Sequence, residues 1–261
     1  MHKLTPPHRR KICLPSPPAD AVNPLAGGRN SPEISRVNTL MKAITFLAAL
    51  TLLQPAASRA ADEWKRLFDG KSFDGWTTRE HQPVTKGWKV EDAAIHRAGS
   101  GGDIFTTDEF LNFELEFDWK LAPGSNSGLK YRVADYSPAG KAIGLEYQML
   151  DDKGHADGKK PKTSAGSLYD LVPPSSDKTV KPVGEWNQSR IVARGNAVEH
   201  WLNGVRLLSI DLGSAAWKSA LDSSKFRAAA DFGTKKGRIL LQDHDGEVWL
   251  RNLRIRSLPD A

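Results

Sequence analysis

Along residues 111–121 (LNFELEFDWKL) apolar and charged positions alternate. Phe113, Leu115, Phe117 and Trp119 fall on one face, Glu114, Glu116 and Asp118 on the other. A period of two belongs to an extended strand with one face buried. Residues 128–133 (GLKYRV) likewise set Leu129, Tyr131 and Val133 against Lys130 and Arg132. Residues 143–150 (IGLEYQML) oppose Ile143, Leu145, Tyr147 and Met149 to Glu146 and Gln148. Residues 198–210 predict a hairpin turning at Asn203-Gly204, a pair that accepts the positive φ of a type I′ turn. Two further strands are predicted over 238–244 and 248–255. Only residues 215–221 suggest a helical turn, and 153–162 (KGHADGKKPK) read as a loop. Short strands punctuated by Gly, Pro, Asn and Asp predict an all-β domain, a jelly-roll sandwich of two antiparallel sheets.

The first 61 residues do not share this pattern. Residues 1–40 are rich in Pro, Arg, Asn and Ser, without a periodic apolar face. From Met41 the layout changes: Lys42, an apolar run over 43–53 (AITFLAALTLL), then small residues up to Ala61. That is the layout of a secretory signal peptide, and the run falls short of the about 20 apolar residues that span a bilayer. The organisation expected is therefore an upstream extension over 1–40, a signal peptide over 41–61 and a single domain over 62–261. A periplasmic or secreted location follows, with no membrane insertion of the mature chain.

The leader also alters the charge balance. The whole chain carries a formal charge of +6. Eight of its 37 Lys/Arg but only two of its 31 Asp/Glu lie in residues 1–61, so the remainder is formally neutral. A nucleic-acid partner, which needs a basic face on the folded domain, is not expected. The sole cysteine, Cys13, lies in the leader too, which leaves the domain no thiol for disulfides, nucleophilic catalysis or metal binding.

Candidate chemistry gathers on the polar faces of three strands: Lys130 and Arg132, Glu146 and Gln148, Gln242 and His244. Each pair is two residues apart, so both side chains point the same way. Neighbouring strands would converge all six on one sheet face, although alternating charge is also what a plain solvated face looks like. In the loop after the Glu146 strand, Asp151, Asp152, His155 and Asp157 would supply an acid, a base or ligands for a divalent cation. Their spacing matches neither the EF-hand nor a zinc-protease pattern. His200 alternates with Val198 and Leu202 and reads as structural. Among the eight tryptophans, Trp119 and Trp249 are assigned to the core, whereas Tyr169, in a Gly/Ser-flanked loop, suits the wall of a site.

Several segments, in order, resemble one family: LFDGKSFDGW (67–76), NFELEFDWKLAPGSNSGLKYR (112–132), GLEYQMLDD (144–152), GSLYDLVPP (166–174) and GRILLQDHDGEVWLRNLRIR (237–256). They resemble the 3-keto-disaccharide hydrolase domain family, across essentially residues 64–257. The resemblance implies a concanavalin A-like fold and cleavage of glycosidic bonds in sugars oxidised to a ketone at C3. Such a ketone acidifies the C2 proton; a base removes it, the C1 substituent leaves by β-elimination, and water adds back. Under that implication Lys130 or Arg132 stabilises the enolate, as would a cation held by Glu146, and His155 or His244 is the base. Gln148, Gln242, Tyr169 and Asp151 would bind substrate. A two-carboxylate glucanase on this fold would carry a second acid where the strand has Gln148, and an amide is neither nucleophile nor acid. The alternative is a non-catalytic carbohydrate-binding module on the same fold.

Overall fold

The computed structural model describes residues 63–137, 140–229 and 231–261. The expected leader lies outside the described residues. In chain order, β1 (Lys65–Arg66), β2 (Trp76–Thr77), β3 (Trp88–Glu91), β4 (Ala94–Arg97) and β5 (Ile104–Phe110) come first. The long strands β6 (Phe113–Leu121), β7 (Asn126–Tyr136) and β8 (Ala142–Leu150) follow. Next are β9 (Asn187–Arg194), β10 (Ala197–Leu202) and β11 (Val205–Asp211), then the helix α1 (Ala215–Asp222), and finally β12 (Gly237–Leu241) and β13 (Val248–Ser257).

These strands form two antiparallel sheets. The larger runs β11-β10-β9-β6-β13-β4-β3, with β1 added on β13; the smaller runs β2-β5-β12-β7-β8. Between them lies the core. Phe113, Leu115, Phe117 and Trp119 of β6 meet Leu129 and Tyr131 of β7 and Leu145, Tyr147 and Met149 of β8, all essentially inaccessible. Rings meet edge-on, Phe117 to Tyr147 at 5.4 Å and Phe113 to Tyr131 at 5.9 Å, the geometry that aligns ring edges with π faces.

Buried polar groups in this core are partnered across the sheets. Trp119 Nε1 donates to Ser189 Oγ (2.8 Å), which donates to the Tyr147 hydroxyl (2.8 Å). His200 contacts the Tyr131 hydroxyl at 2.9 Å through Nε2 and the Gly166 carbonyl at 3.2 Å through Nδ1. Burial pushes the His200 imidazole down to about 4, which keeps it neutral inside the sandwich and agrees with a structural role. The hairpin turn is also as read: Asn203 and Gly204 have φ of 48° and 85°.

Three expectations need correction. Trp249 is half-exposed on the outer face of the larger sheet, stacked on His96 at 4.2 Å, because its neighbours Val248 and Leu250 take the inward positions. β12 ends at Leu241, so Gln242 and His244 stand on the loop after it. Gln242 still donates its N–H to the Gly128 carbonyl (2.9 Å), which carries the pairing one step further. The third is a bulge in β7. Tyr131 pairs with Leu145 and Asp135 with Ile143, so β7 holds two extra residues there, and Arg132 adopts φ 52°. A bulge breaks the alternation and re-aims side chains. Val133 consequently joins Phe105 and Leu240 on the outer face of the smaller sheet.

Candidate functional site

A cavity of about 720 Å³ opens on the outer face of the smaller sheet. Its floor comes from strands β7 and β8. Lys130 and Glu146 are directly opposite in register, so both side chains rise from the same face, and Lys130 Nζ lies 3.6 Å from Glu146 Oε2. Both are largely shielded from water, with side-chain exposures of 13% and 4%. Room for the carboxylate comes from Gly128: a Cβ there would stand 2.4 Å from Glu146 Oε1. Beside this pair, Gln148 Nε2 donates to Asn126 Oδ1 (3.0 Å), while Gln148 Oε1 is buried without a partner among the described residues. An acceptor in that state favours a donor from a ligand or water, since leaving it unsatisfied is costly.

The walls are loops. Residues 166–169 lie along the free edge of β8: Gly166 N–H donates to the Gln148 carbonyl, and Tyr169 N–H to the Glu146 carbonyl at 3.0 Å. This fixes Tyr169 over the floor, where burial and then the nearby Glu146 charge push its phenol up. Lys225, just past α1, reaches over the Tyr169 ring at 4.3 Å and is pushed down by burial. Phe226 and Tyr136 add apolar surface. Opposite them, Asp103, Gln242, Asp243 and His244 close the cavity. The Asp243 carboxylate accepts from Arg97 Nε (2.6 Å) and from the N–H groups of Gly101 (2.9 Å) and Gly102 (2.7 Å). Its own N–H donates to Asp103 Oδ1 at 2.8 Å, so the two loops are clasped together.

Six of the nine expected site residues line this one cavity: Lys130, Glu146, Gln148, Tyr169, Gln242 and His244. The other three do not. Arg132 is buried and donates to the carbonyls of Leu111 (2.9 Å), Gly233 (2.9 Å) and Gly195 (3.0 Å); the bulge removes it from the Lys130 face. Asp151 accepts from the N–H groups of Gly124, Lys153 and Gly154 and borders a separate cavity of about 620 Å³. Burial pushes Asp151 up, but those N–H donors prevail and hold it below the usual carboxylate range. His155 accepts the Asp157 N–H at Nδ1 (3.1 Å), which caps a short 3-10 turn, and its Nε2 stands 4.0 Å from Asp245.

His244 Nδ1 lies 3.1 Å from the same Asp245 carboxylate and 3.0 Å from the Asp245 backbone nitrogen. No group of three or more His, Cys, Asp or Glu among the described residues is placed to hold a metal ion. The positive charge beside the Glu146 carboxylate is Lys130.

Sequence reading missed Asn126, Asp103 and Lys225. Asn126 lies at the start of β7, two residues before the first position of the pattern that was read. Asp103 follows the turn-like GSGG stretch, and β5 begins with Ile104, Phe105 and Thr106 all buried, so no alternation marks it. Lys225 lies in a Ser-rich connection that resembles a solvated turn.

Fold and cavity together define a class: a concanavalin A-like jelly roll with a polar cavity on one sheet. Within that class the chain belongs to the 3-keto-alpha-glucoside-1,2-lyase-like domain family, whose model matches residues 63–256. A 3-keto-disaccharide hydrolase of Bacteroides thetaiotaomicron is 33% identical over 231 residues, covering 76% of this chain and 79% of that protein. Two crystal structures from Parabacteroides distasonis, both provisionally assigned as glycosyl hydrolases, are similar to this chain. One is 35% identical with a TM-score of 0.68 and covers 80% of this chain and 99% of its own. The other is 30% identical with a TM-score of 0.61 and covers 76% and 100%.

Proposed function

We propose that this chain is a carbohydrate hydrolase that cleaves the glycosidic bond of sugars carrying a ketone at C3, by elimination followed by hydration. The observation that carries the reading is the Lys130–Glu146 pair on the cavity floor. A base and a cation side by side suit two adjacent ring positions, the C2 proton and the C3 oxygen. The family and the name of the Bacteroides relative support the same substrate class.

In this reading Glu146, rather than a histidine, takes the C2 proton. Its carboxylate is shielded from water and faces the cavity, whereas the His244 side chain is 43% exposed. Lys130 stabilises the negative charge that moves onto the C3 oxygen, the role that a preorganised cation fills in a water-poor site. Gln148, with one acceptor open, orients a ring hydroxyl, and Tyr169 covers the ring. His244 and Gln242 contact the substrate at the opposite wall. We further propose that the leader directs the protein out of the cytoplasm.

The test is a comparison of a 3-keto-disaccharide with its unoxidised parent, using the purified protein. Release of free sugars from the keto-sugar alone supports the proposal. Tight binding of the keto-sugar without turnover favours a carbohydrate-binding module, and equal cleavage of both overturns the requirement for the ketone.

A further inference from the structure

A second, smaller cavity adjoins the first. It measures about 270 Å³, and Asp103, Tyr136 and Ala142 line both. Beyond that shared wall the smaller cavity is bordered by Arg79, Glu80 and Gly140. The Arg79 guanidinium stands 4.1 Å from the centre of the Tyr136 ring and donates to the Gly140 carbonyl at 2.7 Å. The small cavity is therefore a formed space with a cation, a carboxylate and an aromatic wall, the polar and flat surfaces that sugar hydroxyls and ring faces contact.

We propose that the small cavity holds the leaving half of a two-ring substrate, and that Asp103, on the wall between the cavities, protonates the departing glycosidic oxygen. This rests on the proposed 3-keto-glycoside reading and adds the group that reading lacks. With the oxidised ring over Lys130 and Glu146, the bond to be broken spans the shared wall. Of the three wall residues, Ala142 has no proton to give, and a carboxyl such as that of Asp103 gives up its proton far more readily than the Tyr136 phenol. Asp103 is held by one oxygen only, Oδ1, on the Asp243 N–H. The clasp through Asp243, Arg97, Gly101 and Gly102 fixes the loop that carries it. Burial pushes the Asp103 carboxyl up, the N–H of Asp243 and the charge of Lys130 offset part of this, and the charge of Asp243 adds to it. A raised carboxyl is the usual condition of a general acid.

The steps balance. Glu146 takes the C2 proton, the electron pair forms the C1–C2 double bond, the C1–oxygen bond breaks, and the Asp103 proton goes to the leaving oxygen. Water then adds its hydroxyl to C1 and loses its other proton to solvent, from which Asp103 is reprotonated, and Glu146 returns a proton to C2. Both carboxyls end as they began.

The experiment compares Asp103→Asn with the unaltered protein on two 3-keto-glucosides, a disaccharide and a para-nitrophenyl glucoside, whose phenolate leaves without a proton. A fall in kcat of about 10²-fold or more on the disaccharide, with the aryl substrate changed by less than about threefold, supports the proposal. Equal losses on both overturn it and leave Asp103 a positioning residue. Should the variant fail to fold, a series of aryl leaving groups on the unaltered protein decides: rates nearly independent of leaving-group acidity support protonation, and rates that fall steeply as the leaving group becomes less acidic overturn it. Arg79→Ala should raise KM for the disaccharide alone; an equal rise for both substrates contradicts the second-ring assignment. An unaltered protein that cleaves neither substrate overturns the parent reading itself.

Discussion

The Glu146 carboxylate sits over the α-carbon of Gly128, at a distance that leaves no room for a side chain there. Gly128 has an ordinary φ, since it is absent from the positive-φ residues, so alanine is tolerated by the backbone and acts only through the clash. Gly128→Ala should therefore keep its melting temperature within a few degrees yet displace the carboxylate. A shift of a catalytic group by about 1 Å can cost about 10²-fold in rate. Steady-state kinetics on a 3-keto-glucoside check this; an unchanged kcat would remove Glu146 from the chemistry.

Substituting the floor pair directly should be at least as damaging. Glu146→Gln and Lys130→Met each remove a charge that the proposed transition state uses, and losses of about 10²–10⁴-fold in kcat are expected. KM should move far less than kcat. A pure KM effect would mark the pair as binding groups.

The two histidines should separate. His244→Ala, lining the cavity, is expected to lower kcat by about tenfold or more through the lost imidazole. His155→Ala is expected to stay within a factor of about three, because its contacts are the 3-10 turn and the more distant Asp245. The reverse order would place the substrate against the other loop.

Arg132→Met tests the correction to the strand reading. Three main-chain carbonyls lose a charged donor, at about 1.5–3 kcal/mol for each such bond in favourable cases. The urea midpoint should drop markedly, while kcat/KM measured well below the transition stays near normal. Lost activity in a stably folded variant would return Arg132 to the site.

Strands were legible where inward positions are all apolar, as along β6 and β8. They were illegible where core chemistry is polar. β9 points Asn187, Ser189, Ile191 and Ala193 inward, and Ser189 is there to bond Trp119 and Tyr147, so its pattern does not alternate by hydrophobicity. The cavity floor was readable because Lys130, Glu146 and Gln148 obey the period of two. Arg132 was misplaced because a bulge leaves no local signature when the residue at positive φ is neither Gly nor Asn. Asp103 and Lys225 come from connections, and only the tertiary fold brings connections together.

His200 makes stability depend on pH below neutrality. Its folded pKa of about 4 lies below the ordinary 6.5, so the unfolded chain binds more protons between those values. Stability from this group is complete above about pH 6.5 and is lost as pH falls towards 4, by on the order of 3 kcal/mol. Thermal melts from pH 7 to 4 should show the decline, and His200→Gln should flatten it if the variant folds. A flat wild-type profile would contradict the buried neutral imidazole.

The central claim is that Glu146 removes a proton from C2 and that a proton later returns there. Mass spectrometry of the sugar released from a 3-keto-disaccharide in D2O measures this directly, with the free keto-sugar incubated alone as the baseline for spontaneous exchange. The account predicts deuterium at C2, up to one for each turnover as Glu146 exchanges its proton with solvent, and a primary kinetic isotope effect for substrate deuterated at C2. Product that keeps its original hydrogen at C2, with no such isotope effect, would contradict it and point to direct displacement at C1.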